Sequence, residues 1–207
     1  MASSAAVERA ALLELLAELG PTAGTLCEGW STHDLAAHLV ARERRPQALP
    51  GLLVPVLQPL TAATERRQRA RPYDDLLADL RTGPPVWSPA RWSEVGELHE
   101  WYVHHEDVRR LVDLAPPAVT PELDAGLWSR LMVFGPLNTA RAHGLGITIA
   151  TPAGRTRRVR RGSAEVTVRG TAAELTMWLF GRRSVADVVL EGRPAAVLAA
   201  REAPVGL

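Results

Sequence analysis

Apolar positions recur near helical spacing through the first two thirds of the chain and shift toward strand-like alternation after about residue 144. Residues 4–19 set Ala6, Leu12, Leu13, Leu16 and Leu19 near a 3.6-residue period, and Gly20-Pro21 stops the run, which predicts an amphipathic helix. The segment PTAGTLCEGW is rich in breakers and reads as a loop. Ser31-x-x-Asp34 resembles a capping box with Asp in place of Glu and predicts a second helix through DLAAHLVARERR as far as Pro46. Residues 47–71 read as a helical segment interrupted by prolines that ends in the polar run ERRQRAR. Tyr73 to Arg81 reads as a short helix, TGPPVWSPARWS as a loop, and residues 94–114 as a long helix ending before Pro116-Pro117. Residues 121–136 form another predicted helix, opened by Pro121 at a favoured first-turn position.

Beyond that point Ile147, Thr148 and Ile149 read as strand, Pro152-Ala153-Gly154 as a turn, and TRRVRR and AEVTVRG as two further strands. Thr171 caps a predicted apolar helix AAELTMWLFG, Val185 to Leu190 reads as strand, and PAAVLAA as a last short helix. The pattern therefore predicts a helical domain over residues 1–140 and a small α/β domain over residues 145–207.

Composition removes several function classes. Hydrophobic residues at 46% and charged residues at 23% are ordinary for a globular chain, which argues against wholesale disorder. A formal net charge of +1 supplies no global field toward nucleic acid or anionic membrane. All 24 basic residues are Arg, so Schiff-base and P-loop lysine chemistry are excluded. Cys27 is the one cysteine, which rules out an internal disulfide or a Cys-based zinc finger. Glu8, Glu14 and Glu18 interrupt the N-terminal apolar pattern, unlike a signal peptide, and no stretch reaches the apolar length of a membrane span. A cytoplasmic location is the resulting expectation.

The densest group of titratable residues is Glu97-Leu-His99-Glu100-Trp-Tyr-Val-His104-His105-Glu106-Asp107. On a helix Glu100 and His104, four apart, point the same way, which suits two ligands on one metal. A solvated helix face with ordinary ion pairs gives the same local pattern. His38 adds weight to the metal reading, since it shares an inward stripe with Leu35, Leu39 and Arg42. An inward histidine needs a hydrogen-bond partner or a metal, and bundle metal sites are built from facing helices. Three such ligands would leave an open position, the pattern of catalytic zinc, whereas a core histidine satisfied by a backbone carbonyl would explain His38 equally simply.

The segments LCEGWSTHDLAAHLVARERRP and EWYVHHEDVRR resemble the DinB-like metal-binding superfamily, and more closely its mycothiol-dependent maleylpyruvate isomerase branch. The shared residues are Trp30, Ser31, Asp34, Leu35, His38 and Leu39 in the first motif and Glu100, His104 and Asp107 in the second. GTAAELTMWLFGRR, residues 170–183, is similar to that family's small C-terminal domain. The resemblance implies a DinB-like four-helix bundle followed by a sterol-carrier-like α/β domain. It implies a divalent metal, zinc with nickel or iron as substitutes, on His38, Glu100 and His104. It also implies a low-molecular-weight thiol, mycothiol, in the open position, activated to isomerise or transfer to a small electrophilic substrate that enters between the two domains. Arg182 and Arg183 are the candidates for an anionic substrate. The competing function is a non-enzymatic metal-binding or stress protein on the same bundle. Oligomeric state is left open.

Neighbouring residues receive separate expectations. Asp34 and Asp107 either orient a ligand imidazole or satisfy helix backbone. His105 shares a face with Leu98, Trp101 and Val108 and is expected at a helix interface; His33 and His99 are expected to be exposed, and His143 is given no role. No base can be paired with Cys27 from the sequence. Arg155, Arg157, Arg158, Arg160 and Arg161 are read as a charged hairpin edge that resists aggregation, since no Phe or Tyr is interleaved for base stacking.

Overall fold

The protein is described by a computed structural model covering residues 3–44, 58–88 and 94–206. The first part of the predicted proline-interrupted segment and residues 89–93 of the predicted loop lie outside the described residues. The chain divides into two compact units, Met1–Pro116 and Pro117–Leu207.

The first unit is helical. Its elements are α1 (Ser4–Leu19), α2 (Thr32–Arg44), α3 (Gln58–Arg69), α4 (Tyr73–Thr82) and α5 (Glu94–Arg109). Ser3 caps α1 by accepting a hydrogen bond from the Ala6 N–H. The expected capping box opens α2, where the Asp34 N–H donates to Ser31 Oγ at 3.3 Å and the Ser31 N–H donates to Asp34 Oδ2 at 2.9 Å. Packing runs α1 on α5 and α2 on α3 and α4. The shared core is Leu12 and Leu16, Leu35 and Leu39, Leu76 and Leu80, with Trp101 and Val108. The α5 helix stops five residues short of expectation, at Arg109. Asp113 takes a left-handed φ of 55°, the Leu114 N–H reaches back to the Arg109 carbonyl and the Asp113 N–H to that of Arg110. That pair of bonds is a Schellman ending, which the sequence hides because Asp rather than Gly supplies the left-handed residue.

The second unit begins with α6 (Pro121–Asn138), capped by Thr120, and continues with β1 (Leu145–Ala150), β2 (Thr156–Arg160), β3 (Ala164–Arg169), α7 (Ala172–Leu179), β4 (Val189–Gly192) and α8 (Pro194–Glu202). The division falls at Pro116-Pro117 and not at residues 140–145, because α6 packs on α7 and β2 and contributes Leu131 to the sheet core. The change from helical to strand periodicity marked where the sheet starts, not where the compact unit starts. The strand order is β2-β1-β3-β4, with β1 and β3 parallel and both outer pairs antiparallel. Ile147, Ile149, Val166, Val168, Leu175 and Trp178 fill one face. β2 carries Arg157, Arg158 and Arg160 at the sheet edge, in keeping with the charged-edge reading. Among the described residues no helix is long and apolar enough to cross a membrane.

The short link from β2 to β3 crosses the start of β1. A Cβ on Gly162 would lie 2.2 Å from the carbonyl carbon of Leu145, whereas Gly154 in the β1–β2 turn, at φ 86°, has open space around it. Gly154→Ala should therefore cost about 1–2 kcal/mol through backbone strain alone, and Gly162→Ala about 3 kcal/mol or more through collision with backbone. Denaturant unfolding of both variants checks the order; a costlier Gly154→Ala would contradict the crossing.

Candidate metal centre

Two helices supply the three candidate ligands. His38 lies on α2, and Glu100 and His104 lie one turn apart on α5. Leu35 and Leu39 anchor the α2 stripe in the core with 0% and 1% exposure, which turns the intervening His38 inward. On α5, Trp101 and Val108 do the same for the face that carries Glu100 and His104. Potential ligand atoms of His38, Glu100 and His104 all lie within 4.8 Å of one another. His38 Nε2 stands 3.8 Å from Glu100 Oε1, close to the ~3.4 Å edge of a tetrahedron with bonds of about 2.1 Å. The two imidazoles meet edge to face, with ring centroids 5.4 Å apart.

Each imidazole is held from behind by a carboxylate. His38 Nδ1 is 3.2 Å from Glu65 Oε1 on α3, and His104 Nδ1 is 3.0 Å from Asp107 Oδ2. With Nδ1–H donated to those oxygens, each ring is left its Nε2 lone pair, the tautomer a metal requires. Trp30 packs against the His38 ring at a centroid distance of 5.1 Å. Burial lowers the His38 pKa, against the opposing pull of Glu65, so the ring is neutral near pH 7. Burial pushes Glu100 up, but Arg42 overcomes it and brings the carboxyl to about 2. The Arg42 guanidinium is bidentate, Nε to Oε1 at 2.6 Å and Nη2 to Oε2 at 3.0 Å. The site thus holds two imidazoles and an ionised carboxylate, a donor set that fits zinc, iron or nickel.

The surrounding groups divide along lines the sequence left open. Asp34 serves the α2 cap and pairs with Arg69 at 3.3 Å, while Asp107, fully buried, takes the orienting role. His105 is buried and bonded to Glu8 of α1 at 2.8 Å, as an interface residue. His33 and His99 depart from expectation. His33 is half-buried with Nε2 2.9 Å from the Arg71 carbonyl oxygen, and His99 is buried at 6% exposure. Both helices are packed on more than one side, so an amphipathic count underestimates what they cover. Three contributors escaped sequence reasoning. Glu65 sits in a run of charged residues with nothing to single it out, and Arg42 was visible only as a member of the His38 stripe. Cys27 comes to 3.3 Å from Asp107 Oδ2, beside His104, because the loop before α2 is pinned to α5 by the Leu26 N–H on the Asp107 carbonyl. Arg182 and Arg183 lie in the second unit. There Arg182 donates to the Phe180 carbonyl, and Arg183 to those of Arg201 and Ala203.

The Mycothiol maleylpyruvate isomerase N-terminal domain profile matches residues 3–88. The match includes Trp30 and His38 and ends before α5. The fold of the whole chain is similar to crystal structures of the mycothiol-dependent maleylpyruvate isomerase and of a mutant of it. Each gives a TM-score of 0.63 at 16% identity, over 92% of this chain and 91% of theirs. No curated protein matches the chain.

The pH dependence of the metal-free protein follows from these groups. Glu100 ionises more readily folded than unfolded, so its contribution is complete above its ordinary value of 4.5 and is lost as pH falls toward 2. This amounts to about 3 kcal/mol. His38 is also depressed, so its contribution begins to fall away once pH drops through 6.5. Both changes have one sign. Chelator-treated protein should melt at progressively lower temperature from pH 7 to pH 3, and His38→Gln should flatten the upper part of that slope. A melting temperature that climbs on acidification would contradict the assignment.

Proposed function

We propose that the protein is a divalent-metal-dependent enzyme that uses a small thiol, mycothiol, to isomerise or derivatise a small electrophile. The observation that carries this reading is the convergence of His38, Glu100 and His104 with both Nδ1 atoms already committed to carboxylates. The domain profile matching residues 3–88 and the likeness to a mycothiol-dependent isomerase support the choice of thiol and of reaction class. On the same reading the helical unit is a DinB-like four-helix bundle and the sheet unit a sterol-carrier-like domain.

A divalent cation on the three ligands would supply Lewis acidity, lowering the pKa of a thiol in the open position so that it reacts as thiolate. The chain's own residues prepare that position. Glu65 and Asp107 hold the Nδ1 side of each imidazole, which leaves the Nε2 side for the metal. Arg42 keeps Glu100 ionised and restricts its rotation. Trp30 walls off one side of His38 and limits water there. No step requires a protein nucleophile, since the reactive sulfur comes from the small thiol.

Protein purified without an affinity tag should carry about one equivalent of metal. His38→Ala should abolish this and lower the melting temperature, since bound metal stabilises the fold by mass action. His105→Ala should leave metal content unchanged. Asp107→Asn and Glu65→Gln should each weaken metal affinity about 10- to 100-fold. Turnover of maleylpyruvate or a related electrophile should depend on added mycothiol and should survive Cys27→Ser. Full turnover without thiol, lost on Cys27→Ser, would point to a protein-cysteine enzyme. Bound metal with no turnover across an electrophile panel would instead favour a non-enzymatic metal-binding protein.

A further inference from the structure

On α2, Val40 and Arg44 are two residues on from His38 and Arg42, a rotation of about 200°, so they lie on the side of the helix away from the metal centre. There they line a cavity of about 340 Å³ together with Gln68, Arg71, Asp79, Pro85 and Trp87. The size is at the small end of small-molecule pockets.

Its polar wall is built around one carboxylate and two guanidiniums. Arg71 Nη1 is 2.8 Å from Asp79 Oδ2 and 2.9 Å from Gln68 Oε1. Arg44 Nη2 is 3.3 Å from Asp79 Oδ1 and donates to the carbonyls of Asp79 and Gly83. Two cations against one anion leave an excess of one positive charge in a partly desolvated recess. Arg44 Nε is enclosed by protein and has no hydrogen-bond partner among the described residues. A guanidinium N–H buried without an acceptor is costly and leaves the charge of Arg44 incompletely compensated within the protein. The other walls are apolar. Val40 is 1% exposed, Pro85 adds a second aliphatic surface, and Trp87 keeps 59% of its surface in solvent, unusual for the largest side chain. An exposed indole beside paired arginines suits a ring that carries a single negative charge. The charge excess of one matches a monoanion better than a phosphate dianion.

We propose that this cavity is a second ligand site, separate from the metal centre, that binds a small aromatic carboxylate. The carboxylate meets Arg44 and Arg71, and the ring lies against Trp87 and Val40. The proposal does not depend on the thiol reaction.

Benzoate is the probe, titrated into the full-length protein by calorimetry. A carboxylate can also ligate a metal, so the His38→Ala protein is titrated in parallel. Saturable binding is expected with a Kd on the order of 1 mM, equal in the two proteins. Acetate, which lacks the ring, should bind at least about tenfold more weakly. Trp87→Ala should weaken benzoate by a similar factor with no change in melting temperature. Asp79→Asn should tighten it several-fold, because the guanidiniums lose their internal anion, and a folding defect would not produce a gain. Loss of binding in His38→Ala, with Trp87→Ala silent, would place benzoate on the metal and overturn the proposal. So would the absence of saturation, or inorganic phosphate binding more tightly than benzoate.

Discussion

A carboxylate set among packed helices must find a cation, and the helical unit is arranged around meeting that need at Glu100. The Arg42 fork grips both oxygens from the neighbouring helix, which ties α2 to α5 through a charged contact at the border of their leucine and tryptophan core. Such a pair is costly to desolvate and contributes little net stability by itself. Its effect here is to define which faces of the two helices meet. On those faces His38, His104 and Glu100 bring potential ligand atoms within 4.8 Å of one another. The same arrangement holds the Glu100 carboxyl well below the usual carboxylate range, so it is ionised near neutral pH, which is what a metal ligand requires.

Much of the helical unit was legible because its apolar positions keep a helical period and its ends carry recognisable caps. Ser3, Ser31 with Asp34, and Thr120 each act where a short polar side chain precedes an apolar run. The end of α5 was less legible, since Asp113 closes it in a conformation usually marked by Gly. The three candidate ligands were readable as a set through two spaced motifs. Their supports were not. Glu65 lies 27 residues beyond His38, in a run of charges on α3, and only tertiary packing brings it behind that ring. Cys27 illustrates the same limit from the other side. A lone cysteine in a loop has no sequence partner, yet one backbone bond from Leu26 to Asp107 sets it next to a ligand histidine.

The second unit shows how periodicity and compactness can disagree. The strands were recognisable from β-branched residues and the Gly154 turn. α6 reads as one more helix in a helical series, but its Leu131 belongs to the sheet core. Nothing in a helix's own pattern says which neighbour its apolar face will meet. Arg155, at the head of the arginine run, shows a similar division of labour. It reaches back to Asp124 of α6 at 2.6 Å and lies over Trp128, while Arg157 stays in solvent at the sheet edge.

The capping box at the start of α2 has a bearing on how this fold tolerates insertions and deletions. Ser31 and Asp34 fix the first turn, and His38 follows one turn after Asp34. Each residue of an α-helix advances the chain by about 100° and 1.5 Å. One residue gained or lost between Asp34 and His38 would turn the imidazole by about 100°, out of the seam with α5, while the cap itself stayed intact. The loop before Ser31 is held in a different way, by single bonds such as that from the Leu26 N–H to the Asp107 carbonyl, and not by a rotational phase. The helical count therefore binds over the residues from Asp34 to His38.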